Sequence, residues 1–238
     1  MTKGTGMKTR WGMVWGILLL VSAAVAQDAP VLKSQKEKLS YALGMDLGNQ
    51  LKKQSIEIEP ALFSQGFKDA VSGGKAMMTE AEVRAVIAEL QGQLQAKQVE
   101  ATKVLAEKNK KEGEAFLAQN KAKEGIVALP SGLQYKILTA GAGNKPALED
   151  TVVCHYKGTL IDGTEFDSSY KRNQPATFAV KGVIKGWTEA LQLMAVGSKW
   201  QLFIPASLAY GESARGNVIG PNSTLLFEVE LISIQGKK

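Results

Sequence analysis

Cysteine and histidine are almost absent from this chain. Among 238 residues there is one of each, and they are adjacent, at Cys154 and His155. A single cysteine cannot form an intrachain disulfide, so the fold has to be stabilised by packed cores. A single histidine lacks the partners that a zinc site with three or four ligands usually needs. Disulfide scaffolds and most transition-metal enzymes are thereby disfavoured.

Long charged runs are also missing. The chain has 29 Lys and Arg against 23 Asp and Glu, a formal net charge of +6, and three of the basic residues lie within the first 26 positions. The excess of positive charge in the rest of the chain is small, and no basic stretch is interleaved with aromatic residues. This composition gives little reason to expect binding to nucleic acid.

One long hydrophobic run occurs, and it lies near the amino terminus. Trp11 to Val21 is apolar, follows three basic residues and precedes a small-x-small sequence at 24–26. This order is typical of a signal peptide over 1–26, and the run is shorter than the roughly 20 residues of a membrane span. We expect export to the periplasm with cleavage after Ala26, the alternative being an uncleaved anchor. No cysteine lies directly after the run, which disfavours a lipid anchor. Outer-membrane association and surface display stay open.

Residues 34–124 show helical spacing and are rich in Lys, Glu, Gln and Ala. Leucines recur at every fourth residue from Leu39 to Leu51, which predicts the apolar face of a first helix. Ser40, Gly44 and Gly48 follow the same spacing on a neighbouring face, here called the small-residue face. A glycine inside a helix costs about 1 kcal/mol relative to alanine. We therefore expect another helix to pack closely on this face, from the same chain or from a second subunit.

A second helix is predicted between Pro60 and Gly73. Proline is tolerated in a first turn because its missing N–H has no partner there, and glycine is typical after a last turn. The expected inner face consists of four apolar residues, Phe63, Phe67, Ala70 and Val71.

A third helix is predicted to begin with a capping box at Thr79 and Glu82, in which each side chain accepts a hydrogen bond from the other residue's backbone N–H. No proline interrupts the sequence before Pro130. If the helix extends to about residue 120, it is about 60 Å long at 1.5 Å per residue. Its second half is too polar to be buried on all sides, which predicts a solvated strut that holds two domains apart. The alternative is a partly frayed linker.

Residues 127–236 have a different composition and spacing of apolar residues, with short apolar runs typical of strands separated by turns that contain glycine. One short helix is expected over about 187–194, between two glycines. Antiparallel strands around a single helix predict an α+β domain of about 110 residues. The predicted strands are LQYKIL, TVVCHYKGTL, ATFAV, SKWQLFIPA and TLLFEVELISI.

The adjacent cysteine and histidine are not predicted to react together. The segment from Val152 to Tyr156 is strongly strand-forming, and successive side chains of a strand point to opposite faces. Cys154 then shares a face with Val152 and Tyr156 as an inert, packed thiol, while His155 points the other way. Three nearby carboxylates lie beside turn residues and are interpreted from that position as solvated or capping groups rather than an acid–base pair: Asp162, Glu165 and Asp167.

Three long segments of the second half resemble the FKBP family of peptidyl-prolyl cis-trans isomerases. They are HYKGTLIDGTEFDSS, VIKGWTEALQLMAVGSKWQLFIPASLAYG and IGPNSTLLFEVELISI, and the likeness runs from about Leu129 to Ile234. The first half, with KLSYALGMDLG, the capping box and LPSGLQYKIL after the long helix, resembles the periplasmic subfamily of macrophage infectivity potentiator and FkpA-type members. The resemblance implies a helical amino-terminal dimerisation domain over 27–95, a connecting helix over 79–124 and an isomerase domain over 127–236.

The same resemblance implies a twisted antiparallel sheet wrapped around a short helix, with an apolar pocket between them. Trp187 would form the floor of this pocket. Asp167 would be the carboxylate near the twisting amide, the Tyr210 hydroxyl would bond one substrate carbonyl and the backbone N–H of Ile184 another. The implied catalytic residues are Asp167, Tyr210 and Tyr156, and the implied pocket residues are Phe166, Phe178, Val183, Ile184, Trp187, Ile219 and Phe227.

The implied function is the isomerisation of X-Pro bonds in exported, unfolded or partly folded polypeptides, without cofactor or metal and with accompanying chaperone activity. The implied assembly is a homodimer formed through the amino-terminal helices. The alternative is a holdase chaperone in which isomerisation is secondary. The chain departs from the small cytosolic members at Ala176, where they carry phenylalanine, and at Arg215 and Gly220. These departures predict one shallower pocket wall and leave open both macrolide inhibitor binding and the preference for the residue before proline.

Overall fold

The computed structural model describes residues 31–236, and the predicted signal peptide over 1–26 lies outside that range. The chain divides into two compact units between Lys75 and Ala76. Within the described range it forms four α-helices and seven β-strands. No helix in that range is long and apolar enough to cross a membrane.

The first unit contains two helices, α1 at Gln35–Lys53 and α2 at Pro60–Ser72. α1 begins with a capping box that the sequence analysis did not predict: the Ser34 hydroxyl accepts from the backbone N–H of Glu37, and the Glu37 carboxylate accepts from the backbone N–H of Ser34. α2 begins with proline in its first turn and ends at Gly73 in the left-handed conformation, with φ of 67°. These bounds confirm the predicted second helix.

The apolar faces of this unit are uncovered. Neither α1 nor α2 contains a buried residue. The inner face expected for α2 is therefore wrong for the single chain, since Phe67 is 65% exposed and Val71 is 73% exposed. The small-residue face is open as well, because a Cβ atom built at Gly44 or Gly48 would meet no atom within 4 Å. No other part of residues 31–75 packs closely on that face.

The second unit opens with α3, which spans Glu80–Asn120 and has 41 residues. It begins with the predicted capping box: the backbone N–H of Thr79 donates to the Glu82 carboxylate over 2.7 Å, and that of Glu82 donates to the Thr79 hydroxyl over 3.3 Å. The helix is continuous to its predicted end. The expectation of one long helix is confirmed, and the frayed linker is not observed.

The last turns of α3 lie on the sheet of the same unit, so the predicted solvated strut is covered on one face there. Asn120 is buried and donates to the Gln134 side chain over 3.0 Å, and Gln134 donates in turn to the carbonyl of Leu117 over 2.9 Å. The rings of Phe116 and Phe203 are 6.0 Å apart. The docked face was missed because amides and small residues occupy much of it.

The sheet of the second unit is antiparallel, with strand order β1-β2-β6-β7-β3-β4 and β5 paired to β3. Five strands match the predicted runs, whereas β1 and β4 were not predicted. The short helix α4 at Lys185–Leu193 confirms the predicted helix and the α+β class. The strands are β1 Ile126–Ala128, β2 Gln134–Thr139, β3 Thr151–Leu160, β4 Glu165–Ser168, β5 Ala176–Ala179, β6 Lys199–Ile204 and β7 Leu225–Ile234.

One hydrophobic core joins α4 to the sheet. Trp187, Ala190 and Leu191 of α4 are buried in it. Gly186 lets the helix approach β6 closely, because a Cβ atom there would lie 2.5 Å from the Ile204 side chain. The amino end of α4 is thereby held against the sheet, and this end carries the site described below.

The cysteine and histidine point to opposite faces of β3, as predicted. Cys154 is 0% exposed and shares its face with Val152 and Tyr156. Burial raises the pKa of the Cys154 thiol to about 12. His155 instead stacks on Tyr170 with ring centroids 4.7 Å apart, and its Nδ1 lies 2.9 Å from the Ser169 hydroxyl. The two side chains do not form a nucleophile and base.

Candidate functional site

A cavity of about 660 Å³ opens at the amino end of α4 and is called the aromatic cavity. All ten residues that the resemblance assigned to a pocket line it. They come from six segments: β3, β4, β5 with the turn before α4, α4 itself, the loop after β6, and β7. The ten are Tyr156, Phe166, Asp167, Phe178, Val183, Ile184, Trp187, Tyr210, Ile219 and Phe227, joined by Gly182 and residues 215–218.

Trp187 is the centre of the aromatic packing. Three other rings meet it edge to face, with centroid distances of 5.5 Å to Tyr156, 5.4 Å to Phe178 and 5.3 Å to Phe227. Edge-to-face pairs of this kind contribute about 0.5–1.5 kcal/mol each beyond their buried area. The floor of the aromatic cavity is therefore a rigid aromatic cluster rather than a flexible apolar patch.

Gly158 of β3 allows two of the rings to close on each other. It is paired with Phe227 of β7 and with Asp167 of β4. A Cβ atom at this position would lie 2.5 Å from the Phe166 ring and 2.8 Å from the Phe227 ring. A side chain here would force the rings apart, so this glycine shapes the wall of the cavity.

A polar triad at the edge of the cavity consists of Tyr156, Asp167 and Arg172. The Tyr156 hydroxyl donates to Asp167 Oδ2 over 2.5 Å, and Arg172 donates to Asp167 Oδ1 over 2.6 Å. The guanidinium also donates to the Tyr156 oxygen over 2.9 Å and lies 5.7 Å from the centre of its ring. Arg172 was not predicted. Its position five residues after Asp167, beyond a short turn, could have indicated an ion pair between the two side chains.

The triad fixes the protonation of its acidic members. Partial burial acts to raise the pKa of the Asp167 carboxyl, but hydrogen bonds from Tyr156 and Arg172 outweigh it, so the pKa lies below its usual value. Burial raises the pKa of the Tyr156 hydroxyl, and its bond to Asp167 raises it further, against the opposing influence of Arg172. Near neutral pH the cavity therefore presents an ionised carboxylate next to a protonated phenol.

Hydrogen-bonding groups around the cavity are left without a protein partner. Within residues 31–236 the backbone N–H of Ile184 has no acceptor, and the Tyr210 hydroxyl has no partner. The buried indole N–H of Trp187 also lacks an acceptor in the described part of the chain. Ile184 is the N-cap of α4, where the first backbone N–H groups have no intrahelical partner. The Ile184 N–H and the Tyr210 hydroxyl are available to a bound molecule, whereas the indole N–H of Trp187 is buried beneath the cavity surface.

One wall of the cavity is a loop of residues 215–220, here called the wall loop. Arg215 and Ile219 close it with two backbone hydrogen bonds of 2.8 and 3.2 Å. The Arg215 guanidinium lies 5.4 Å from the centre of the Tyr210 ring, and no described residue pairs with it as an anion. Ala176 is partly buried against the core but does not line the cavity.

None of the lining residues is a Ser, Thr, Cys or His, so the cavity wall has no side chain of the types that usually serve as nucleophiles. In the described part of the chain, no three His, Cys, Asp or Glu side chains come together in an arrangement that could hold a metal ion. What the cavity offers is an apolar, aromatic surface with a few oriented polar groups. Such a site is suited to binding a compact apolar group and to holding adjacent carbonyls in place.

Two family profiles match the chain. The profile described as FKBP-type peptidyl-prolyl cis-trans isomerase matches residues 143–232, which include the whole aromatic cavity. The profile described as the domain amino terminal to FKBP-type peptidyl-prolyl isomerase matches residues 36–137, which include α2, α3 and all but the first residue of α1. The two matches together span most of the described chain.

Individual proteins are similar over nearly the full length. The outer membrane protein MIP of Legionella longbeachae is 51% identical over 218 residues, covering 92% of this chain and 94% of that protein. The peptidyl-prolyl cis-trans isomerase Mip of Coxiella burnetii is 46% identical, covering 92% and 95%. The crystal structure of FkpA from Escherichia coli superposes with a TM-score of 0.69 at 35% identity, covering 86% of this chain and 98% of that chain. The chain belongs to the family of FKBP-type peptidyl-prolyl cis-trans isomerases.

Proposed function

We propose that the chain isomerises X-Pro bonds in the aromatic cavity, with unfolded or partly folded polypeptides as substrates. Rotation about such a bond has to break amide resonance, a barrier of about 20 kcal/mol, and takes roughly 10–100 s without catalysis. The reaction forms no bond between protein and substrate. A cavity that binds the twisted amide more tightly than the planar one is sufficient to accelerate it. The observation that carries this proposal is the Trp187-centred cavity with unpaired donors and no nucleophile at its edge.

Each polar group has a proposed role. The prolyl ring rests on Trp187, and Ile184 N–H and the Tyr210 hydroxyl each bind a carbonyl next to the twisting bond. Asp167 lies beside the rotating amide, where a fixed negative charge interacts with its changing dipole. Tyr156 and Arg172 hold that carboxylate in place and keep it ionised, which is why we add Arg172 to the residues that support catalysis.

The test is a prolyl-tetrapeptide isomerisation assay with the full chain. Asp167→Ala and Tyr210→Phe each remove one polar contact and should lower kcat/KM about tenfold, the equivalent of about 1.4 kcal/mol. Glu165→Ala is the matched control, because Glu165 lies two residues away and pairs with Lys171 outside the cavity. If the two cavity variants retain the kcat/KM of the control, the assignment of these residues is wrong.

The amino-terminal helices support a proposed homodimer. Monomeric proteins rarely leave large contiguous apolar patches exposed, and the leucines of α1 are uncovered in the single chain, Leu43 being 62% exposed. Light scattering of the chain without residues 1–26, at micromolar concentration, should give the mass of a dimer. Gly44→Leu should give a monomer, because a large side chain on the small-residue face blocks close packing.

Gly92→Leu is the control for the dimer experiment. Gly92 is also open to 4 Å around a built Cβ atom, and it lies on α3 two residues from Leu90 and from Leu94, off their apolar stripe. It should leave the mass of the dimer unchanged. A monomeric native chain under the same conditions would remove the proposal.

A second candidate function is favoured by the same exposed apolar side chains: a holdase that binds unfolded chains through α1 and α2. Suppression of aggregation of a thermally unfolding test enzyme should then be unaffected by Asp167→Ala. It should be weakened by Phe67→Ser combined with Val71→Ser. If the cavity variant abolishes suppression and the helix variant does not, holding by the helices is excluded.

The proposed location is the periplasm, reached through the signal sequence over 1–26. One similar protein is named an outer membrane protein, which makes association with that membrane the alternative. Fractionation of cells that express the full chain separates the two. A mature protein that begins at residue 27 and is released with the soluble envelope fraction is the expected result.

A further inference from the structure

The wall loop separates two cavities. On one side it lines the aromatic cavity; on the other it lines a second cavity of about 400 Å³, whose remaining walls include α3 and residues 160–162. Residues 216–219 line both. The loop is thus a single layer of chain with space on both sides, so packing alone does little to fix its position.

α3 holds the carboxyl end of this loop through polar contacts. Asn109 Nδ2 donates to the carbonyl of Pro221 over 2.8 Å and lies 3.4 Å from the Ser223 hydroxyl. The Ser223 hydroxyl in turn donates to the carbonyl of Gly220 over 2.9 Å. Asn109 therefore connects the helix to two consecutive carbonyls of the loop, one of them directly and one through a hydroxyl.

Close packing of the Gly220 backbone against two side chains of α3 supports the same connection. A Cβ atom at Gly220 would lie 2.9 Å from Asn109 Nδ2 and 3.2 Å from the Leu105 side chain. Ile219, only 8% exposed in the wall of the aromatic cavity, directly precedes this glycine. A shift of the helix at Asn109 would therefore be passed to Ile219 across two or three residues of chain.

We propose that α3 is a working part of the isomerase site and that Asn109 is a positioning residue. Through Pro221 and Gly220 it sets how far Ile219 projects into the aromatic cavity. This inference rests on the proposed function of that cavity, because it assigns the helix a role in the same reaction. Binding of a substrate in a shaped cavity is sensitive to displacements of about 1 Å in a wall, whether the bound bond is planar or twisted. The helix thereby contributes to substrate binding without touching substrate.

The test replaces Asn109 by Asp in the full chain. Aspartate has nearly the same shape, but its ionised carboxylate cannot donate to the Pro221 carbonyl. With the loop released, binding of ground and transition state weakens together, so KM for a prolyl tetrapeptide should rise about fivefold while kcat changes less than twofold. Asn109→Gln, which restores an amide donor, should return KM to within about twofold of the native value.

Asn120→Asp is the matched control on the same helix. Asn120 is 2% exposed and makes one side-chain hydrogen bond to Gln134, away from the wall loop. This change should lower the thermal midpoint more than Asn109→Asp does and leave KM unchanged. If the two variants raise KM equally, or if neither raises it, the helix does not position the site and the proposal is overturned.

A spectroscopic measurement separates this proposal from the proposed function. The methyl resonances of Ile219 and Val218 should shift in Asn109→Asp and stay in place in Asn120→Asp. If they shift in this way but the native chain does not isomerise the tetrapeptide, positioning is supported and the function is wrong. If the native chain isomerises the tetrapeptide but neither KM nor the methyl resonances respond to Asn109→Asp, the function stands and positioning is wrong.

Discussion

The helices of residues 31–75 and the sheet domain that follows α3 carry equally regular apolar patterns, yet they use them differently. Three of the four regularly spaced leucines of α1, Leu39, Leu43 and Leu47, are exposed, and no residue of α1 or α2 is buried. The alternating residues of β3, including Val152 and Cys154, are 0% exposed in one core. Periodicity therefore predicts which face of an element is apolar, but not whether the same chain covers it.

The largest expected contrast comes from removing one aromatic side chain in each region. Trp187→Ala takes away the ring on which three others pack and should lower the free energy of unfolding by about 3–5 kcal/mol. Phe67→Ala removes a side chain that is mostly exposed in the single chain and should cost less than about 0.5 kcal/mol at nanomolar concentration. Urea unfolding measures both. A Phe67→Ala cost of several kcal/mol that is independent of concentration would break the comparison.

Replacement of a glycine by alanine should change the free energy of unfolding in opposite directions in the two regions. Gly158→Ala forces the Phe166 and Phe227 rings apart and should cost about 1–3 kcal/mol, with a loss of isomerase activity. In the dissociated chain, at nanomolar concentration, Gly48→Ala should stabilise α1 by up to about 1 kcal/mol, because the built Cβ atom meets nothing and alanine favours helix. Thermal unfolding of the two variants tests this, and a stabilising Gly158→Ala would contradict the geometry of the cavity wall.

Alkaline pH should destabilise the sheet domain through its buried thiol. The folded pKa of Cys154 is raised to about 12, so the thiol stays neutral in the folded chain while it ionises in the unfolded chain. Its contribution is intact below the unfolded pKa and is lost as pH rises, at up to about 1.4 kcal/mol per pH unit above about 9. The measurement is urea unfolding of the native chain and of Cys154→Ala at pH 8 and 10. An equal change in the free energy of unfolding between pH 8 and 10 for the two proteins would show that the thiol is not buried in the folded chain.

The smallest expected effect concerns charge. The Arg215 guanidinium lies over Tyr210 at the cavity without an anionic partner in the described chain, so it should favour peptides with glutamate before proline. A charge pair about 8 Å apart at the surface is worth under about 1 kcal/mol. Arg215→Gln should therefore lower kcat/KM for a Glu-Pro peptide about threefold at low salt, relative to a Leu-Pro peptide. Lys52→Gln removes a positive charge from α1 instead and should leave kcat/KM for both peptides unchanged.

Nine of the ten predicted residues around the aromatic cavity lie in long segments that resemble one family, in order and at matching spacing, and the tenth, Phe178, lies between two of these segments. The long helix was predictable from one capping box and the absence of proline. Both signals are local in sequence. They need no knowledge of which elements meet in space.

Features that depend on pairing were missed. β4 at Glu165–Ser168 is short and polar, and it is a strand because β3 pairs with it. The docked face of α3 includes Asn109, Gly113 and Asn120, which carry no apolar signal. Their amide partners, such as Gln134, become visible only when the fold brings them within hydrogen-bond distance. A buried polar side chain needs a particular hydrogen-bonding partner, and the spacing of apolar residues does not show which residue that partner is.

The sealed thiol on β3 also makes the chain a convenient subject for spectroscopic labelling. Maleimide and methanethiosulfonate reagents react with accessible thiolates, and the single cysteine of the chain is neither exposed nor ionised near neutral pH. One cysteine introduced at an exposed site away from the small-residue face, such as Lys53→Cys on α1, would be the sole reactive position without removal of the native one. Spin labels or dyes placed in this way would test the proposed dimer, because they report the distance between any two associated chains of the otherwise unaltered protein.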